Sequence, residues 1–196
     1  MAAEPFVSIV VPTTGNVGYI RGMVKSVARL DYPRDRFELI LLGDAETPHL
    51  QRARGLAQEG GIALQVIHDP VAAGEKRNRG VAAAQGEYIA FTDDDTILRE
   101  DWLRAAVQHL AQNPDYAGVG GPNFTPREGL PFAKAVGRIF GSKFLFRFRY
   151  TAGHDEPCEV DHNPTCNYVL RREAVAGIGF HPTLWPGEDV EFDIRL

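Results

Sequence analysis

Three consecutive carboxylates, Asp93-Asp94-Asp95, directly follow an apolar run and carry the strongest chemical signal in the chain. Crowded carboxylates repel one another and weaken the fold that holds them. A hard divalent cation offsets that repulsion, and Mn²⁺ and Mg²⁺ prefer oxygen ligands and bridge readily to phosphates. The plainer alternative is a solvated acidic turn that caps the next helix through Thr96 or Asp95. The place of the triplet after a buried strand tips the reading toward metal. Just upstream, Lys76, Arg77 and Arg79 are cations able to hold a diphosphate beside such a site. Alone, they also fit the solvated face of a helix.

These groups need a scaffold, and the hydrophobic pattern supplies one. Residues 6–11 are apolar and β-branched, and Pro12-Thr13-Thr14-Gly15-Asn16 breaks the run. Tyr19, Met23, Val27 and Leu30 recur at helical spacing over 19–30. Strands are expected at 37–42, 62–67 and 87–91, with helices at 48–58, 74–85 and 101–112. Strands separated by single helices imply a parallel α/β sheet with right-handed crossovers. In open α/β sheets, ligands sit in the loops beyond the carboxyl ends of the strands. Here those loops hold Thr13 and Thr14, then Asp44, then Asp93–Asp95. The second half is less regular, with short strands expected at 116–119, 160–161 and 168–170. Gly120-Gly121-Pro122-Asn123 reads as a tight turn near the cleft.

The chain has 196 residues, 44% of them hydrophobic and 24% charged, enough for one full core and too ordered a composition for disorder. Its net charge of −5 argues against a nucleic-acid partner. Two cysteines, Cys158 and Cys166, are too few for a disulfide framework and suit a reducing cytoplasm. The N-terminal residues lack the basic and apolar stretches of a signal peptide, and no run approaches the ~20 residues of a membrane span.

Taken in order, Val7-Ser-Ile-Val-Val-Pro12, Phe37-Glu-Leu-Ile-Leu-Leu42 with Asp44, Lys76-Arg-Asn-Arg-Gly80, Gly86-Glu-Tyr-Ile-Ala-Phe-Thr-Asp-Asp-Asp95 and Trp185-Pro-Gly-Glu-Asp189 resemble a family 2 glycosyltransferase. The resemblance runs from about residue 5 to the last residue. It implies a GT-A fold, an α/β architecture with a Rossmann-like, mostly parallel central sheet flanked by helices. One domain spans 1–196, with a nucleotide-sugar-binding half over 5–112 and an acceptor-binding half over 113–196. The resemblance assigns Pro12, Thr13 and Asp44 to the nucleotide base and ribose, and Arg77 to the diphosphate or base. The acidic triplet matches the DXD-type motif. Asp95 falls on the metal-binding aspartate, with Asp93 and Asp94 nearer the ribose and the metal's waters, and Asp93 counted as a second metal contact. Glu188 and Trp185 fall on the acceptor side, and Asp189 on the catalytic base.

The implied reaction is an inverting single displacement. A Mn²⁺ or Mg²⁺ ion offsets charge on the departing nucleoside diphosphate, and Asp189 takes the proton of an attacking acceptor hydroxyl. The expected setting is cell-surface glycan or glycolipid synthesis in the cytoplasm, with the inner membrane face as an option. UDP stands ahead of GDP because Asp44 can accept the uracil ring N–H. Gly43 and Ala45-Glu46 depart from the family pattern, which leaves base identity open. The family's further strands, late histidine and Q-x-x-R-W motif are missing after Asp189. A C-terminally truncated chain, with the Asp189 helix frayed, is therefore expected. Two rivals stand: a non-catalytic nucleotide-sugar-binding module, and a sugar-phosphate nucleotidyltransferase. The latter wants an N-terminal glycine-rich loop followed by arginine, which Val11-Pro-Thr-Thr-Gly-Asn16 does not supply.

Three further features have two readings each. From Phe132 to Tyr150 the chain is basic and aromatic with no acidic residue, which suits either packing of the aromatics on the sheet or peripheral contact with an anionic membrane. Packing is the preferred reading. His154, Cys158, His162 and Cys166 are four apart, a row of soft metal ligands if helical. Pro157 and Pro164 break such a helix, and the spacing is not that of a usual zinc site. Trp185 either stacks on an acceptor sugar or packs.

Overall fold

The computed structural model describes residues 3–13, 17–44, 46–126, 131–140 and 157–196. Among these, six strands form one sheet in the order β3-β2-β1-β4-β6-β5. β1 (Val7–Pro12), β2 (Phe37–Gly43), β3 (Ala63–His68) and β4 (Tyr88–Thr92) are mutually parallel. β6 (Asn167–Arg171) runs antiparallel to β4, and β5 (Gly118–Gly120) runs antiparallel to β6. The expected GT-A-like architecture is thus present, with the reversal confined to the second half.

Strands β1, β2 and β4 are buried at every position because helices cover both faces, which is why they read as unbroken apolar runs. On one face Val7, Ile9, Val11, Phe37, Leu39 and Leu41 pack beneath α1 (Val17–Val27), α2 (Pro48–Glu59) and α4 (Trp102–Gln112). On the other, Val10, Ile40, Leu42, Ile89 and Phe91 pack with Phe180 and Phe192, beneath α3 (Ala73–Ala83). Edge strand β3 is only partly covered, and its sequence is correspondingly mixed. The chain leaves β1 in one direction through β2 and β3, then returns to β4 on the opposite side of β1. That reversal is the topological switch point at which α/β sheets open a ligand crevice.

Three expectations need correction. No strand forms at 160–161. β6 already has β4 and β5 on its two edges, so residues 160–161 find no free edge beside it. The acidic triplet caps no helix, because α4 begins at Trp102 with Asp101 as its N-cap. On α5 (Pro131–Phe140), Phe132 and Ile139 do not pack on the sheet: Phe132 is 78% exposed and Ile139 is 50% exposed. Residues 141–150, Tyr150 among them, lie outside the described residues. The short α6 (Arg172–Val175) follows β6, and α7 (Glu188–Arg195) closes the described chain.

The turn into β4 is pinned from below. Buried Glu38 accepts from Ser8 Oγ at 2.6 Å and from the Gln85 amide at 2.9 Å, while Ser8 Oγ accepts from the Gly86 amide at 2.8 Å. A Cβ at Gly86 would meet backbone atoms of Ser8 at 2.5 Å, Tyr88 at 2.6 Å and Phe6 at 2.9 Å, none of which can swing aside. Gly86→Ala should therefore destabilise the fold by about 1–3 kcal/mol, as overpacking does. Gly55 in α2 has open space around its missing Cβ, so Gly55→Ala should stabilise by about 0.5–1 kcal/mol. Urea denaturation of the two variants beside the parent protein checks both signs.

Candidate active site

The loops after β1 and β2 are drawn together by one lysine. Lys76, on α3, is buried, and its ammonium donates to the Thr13 carbonyl at 3.0 Å and pairs with Asp44 at 2.5 Å. A buried charge needs such partners to offset desolvation. Thr13 is itself anchored on both sides. Its amide donates to the Leu42 carbonyl at 2.8 Å, and its hydroxyl donates to Asp94 at 2.6 Å. Pro12 ends β1 beside it. Asp44 keeps 62% of its side chain exposed, leaving a carboxylate face toward solvent. Thr14, Gly15, Asn16 and Ala45 lie outside the described residues.

The acidic triplet divides into three environments. Asp94 is buried against Thr13 and holds the loop. Asp93 is partly buried, and its carboxylate accepts from Arg77 at 3.0 Å. Asp95 is exposed. Burial pushes the Asp93 carboxyl above its usual range, Arg77 pulls it back, and Asp95 pushes it up again. The Asp95 carboxyl, although the residue is exposed overall, is raised by partial desolvation and by the charge of Asp94. Nearby, burial followed by the charges of Asp93 and Asp95 pushes the Cys166 thiol up to about 12, so it is no nucleophile. Among the described residues, no three His, Cys, Asp or Glu side chains converge on a closed metal cage. Two hard carboxylates in mutual repulsion nevertheless fit a divalent ion whose remaining ligands are water and phosphate oxygens.

Arg77 ties this acidic loop to α7. One terminal nitrogen donates to Asp93 and the other to Glu188, both at 3.0 Å, with the guanidinium 5.6 Å from the Phe180 ring centroid. Glu188, expected among the acceptor contacts, is buried and turned onto Arg77. Arg77 is only 5% exposed as a side chain, so it serves here between carboxylates rather than at the open mouth. The solvated-face reading of the basic cluster fails for Lys76 and Arg77. It fits Arg79, which is half exposed and pairs with Glu75 and Asp69.

On the opposite wall, Gly187 adopts φ +103°, a left-handed turn suited to glycine, and starts α7. Asp189 lies in the first helical turn and accepts from the Val190 amide at 2.9 Å. Its other oxygen is 3.7 Å from His162 Nε2. Trp185 is 73% exposed and free of the core. The expected fraying is absent: α7 is anchored by Glu188 on Arg77, by Phe192 stacked on Phe180, and by Arg195 on Glu191 and the Gly179 carbonyl.

Sequence reasoning missed three positions. Asn78 clamps Phe180, donating to its carbonyl at 2.9 Å and accepting from its amide at 2.7 Å. Lys76 is a tie between loops rather than a phosphate ligand. His162 belongs with the aspartates of α7, not with cysteines. Asp189 and Asp193, four apart, share one helix face, and that spacing was the available signal. Of the proposed soft-ligand row, His154 lies outside the described residues, and Cys158 is an exposed free thiol.

A family model described as glycosyl transferase family 2 matches residues 8–179. The putative teichuronic acid biosynthesis glycosyltransferase TuaG of Bacillus subtilis is 26% identical over 137 residues, 68% of this chain and 53% of that protein. In structure, the chain is similar to the mannosyltransferase PcManGT from Pyrobaculum calidifontis, solved with GDP-Man and Mn²⁺ (TM-score 0.71, 23% identity, 97% of this chain and 51% of that one). It is also similar to S. aureus TarS 1–349 in complex with UDP (TM-score 0.73, 19% identity, 97% and 54%). The chain spans about half the length of each.

The strained triplet yields a pH prediction. A carboxyl raised in the folded state binds its proton more tightly there than in the unfolded chain, so its contribution turns unfavourable as pH rises from about 4, the ordinary aspartate value. Asp95→Asn should melt above the parent protein at pH 7.5 without added metal, with the gap closing toward pH 4. Thermal denaturation across that range checks it, and a gap that widens on acidification would contradict the assignment.

Proposed function

The chain belongs to glycosyl transferase family 2, and on that premise we propose that it transfers a sugar from a nucleoside diphosphate to an acceptor hydroxyl with inversion at the anomeric carbon. The observation that carries the reading is the acidic turn at the β1/β4 switch point, tied through Arg77 and Glu188 to the helix bearing Asp189. Residues 5–112 form the donor half and 113–196 the acceptor half of one domain.

Pro12, Thr13 and Asp44 receive the base and ribose, with the exposed face of Asp44 accepting a ring N–H of uracil. UDP is the favoured nucleotide on this ground, and GDP the alternative. Asp93 and Asp95 would hold Mn²⁺ or Mg²⁺, which when bound offsets negative charge on the departing diphosphate. Asp94 keeps the turn in place through Thr13. Asp189 accepts the proton of the acceptor hydroxyl as its oxygen bonds to the anomeric carbon and the bond to the diphosphate breaks. Trp185 offers an exposed ring for an acceptor sugar to stack on. A glycan or lipid-linked acceptor of the cell surface fits the biosynthetic role printed for TuaG.

A peripheral membrane contact accompanies this reading. No helix among the described residues is long and apolar enough to cross a membrane. α5 instead exposes Phe132 and Ile139 beside the cations Lys134 and Arg138, with no acidic residue in the helix. In a chain of net charge −5, that favours an anionic lipid surface such as the inner face of the membrane.

Two measurements test these readings. Calorimetric titration of UDP and GDP should show Mn²⁺-dependent binding of one nucleotide, abolished by EDTA and weakened at least tenfold in Asp95→Ala. Asp189→Asn should retain that binding and lose transfer by a factor of about 10²–10⁴, the span of general-base catalysis. Binding without any activity sensitive to Asp189→Asn would identify a non-catalytic binding module instead. Separately, the protein should sediment at low salt with vesicles containing phosphatidylserine but not with pure phosphatidylcholine, and Lys134→Glu with Arg138→Glu should abolish it.

A further inference from the structure

His162 sits between two carboxylates of one helix, and nothing in the reaction as described so far uses it. Its ring is 3% exposed. Nδ1 lies 2.6 Å from Asp193 Oδ2, and Nε2 lies 3.7 Å from Asp189 Oδ2. The Asp193 oxygen also accepts from the Asn163 amide at 2.8 Å. The other Asp193 oxygen is buried. From β6, Tyr168 faces the same carboxylate. Burial and the charge of Asp193 hold its phenol well above the usual value, so it remains a neutral hydroxyl. The titratable groups around His162 are therefore Asp189 and Asp193 from α7 and Tyr168 from β6.

Hydrogen-bond logic fixes the tautomer. A carboxylate oxygen that already accepts one N–H is an acceptor, so the short contact to Asp193 places the ring proton on Nδ1. In the neutral ring Nε2 then carries the lone pair, 3.7 Å from Asp189 Oδ2. A lone pair facing a bare carboxylate makes no bond, but one facing a protonated Asp189 accepts its hydrogen. A buried histidine braced in this way by a carboxylate is oriented to receive a proton.

We propose that His162 is a positioning residue that acts through Asp189 as a proton relay, an inference resting on the reading of Asp189 as the base. When Asp189 takes the acceptor's proton, the acceptor O–H bond breaks and an Asp189 O–H bond forms. That O–H bond then breaks as His162 Nε2–H forms, once the 3.7 Å gap between the two groups closes to hydrogen-bond length with substrate bound. Asp189 returns to a carboxylate, and an imidazolium is left between two negative charges. Asp193 holds the ring in register throughout, and the proton leaves to solvent after product departs.

The first test needs no turnover. Long-range ¹H–¹⁵N NMR of the whole protein at pH 8 should show His162 as the Nδ1–H tautomer. An Nε2–H tautomer would overturn the relay. The second test follows nucleotide release from UDP-GlcNAc and from GDP-mannose with Mn²⁺, water serving as acceptor. His162→Gln keeps hydrogen-bonding capacity toward the aspartates but cannot carry the proton. It should lower kcat about tenfold with KM for the donor unchanged, while Asp193→Asn lowers kcat less. A raised KM at unchanged kcat would mean that His162 only props the pocket. If Asp189→Asn loses release and His162→Gln does not, the relay falls and the base stands. If Asp189→Asn releases nucleotide as fast as the parent protein, the reading of Asp189 falls.

Discussion

A buried guanidinium between two carboxylates organises the crevice. Arg77 joins Asp93, at the end of β4, to Glu188, at the start of α7, and so crosses from the acidic loop to the wall that bears Asp189. Removing either carboxylate would leave a nearly buried cation half-paired, which costs more than the pair contributes when intact. The ring of Phe180 beside the guanidinium and the Asn78 clamp on that residue's backbone keep Arg77 in a single position. Residues far apart in the chain thus meet at one charge, and the relative placement of the two halves follows from it.

Lys76 performs the same task one residue earlier. It faces the loops after β1 and β2, while Arg77 faces the loop after β4 and α7. Adjacent positions on a helix point about 100° apart, so a Lys-Arg pair on α3 can serve two neighbouring loop clusters at once. Gly80, further along the same helix, lets α3 lie directly on Val10 and Leu42, because a Cβ there would meet Val10 at 2.3 Å. This close contact brings Lys76 and Arg77 down to the carboxyl ends of the strands.

Much of this was legible in the sequence, and the parts that were not share a physical cause. The strands β1, β2 and β4 declared themselves as apolar runs because they are buried on both faces, and the α1 and α4 stripes because they are buried on one. Asp93–Asp95, Asp44 and Thr13 declared themselves by following those runs. The short strand expected at 160–161 failed because a fully partnered β6 left it no edge to pair with. The aromatics of α5 defeated pattern reading, since an amphipathic stripe does not say what will cover it. Asn78, Lys76 and His162 were missed for another reason: each acts through partners distant in sequence, and type and spacing carry no information about that distance.

The placement of Asp189 shows how little intrinsic helix stability such a residue requires. An eight-residue helix is marginal on its own in water. α7 has three acidic residues in its first turn and a basic one in its last, both favourable to the helix dipole. Its position, however, comes from tertiary contacts on separate sides: Glu188 on Arg77, Phe192 stacked 4.2 Å from Phe180, and Asp193 on His162. One of these is ionic, one is a hydrogen bond and one is apolar, so rotation of the helix in either direction breaks a buried contact. Asp189 therefore reaches the crevice as the one acidic side chain of the first turn whose carboxylate is not taken up by an arginine.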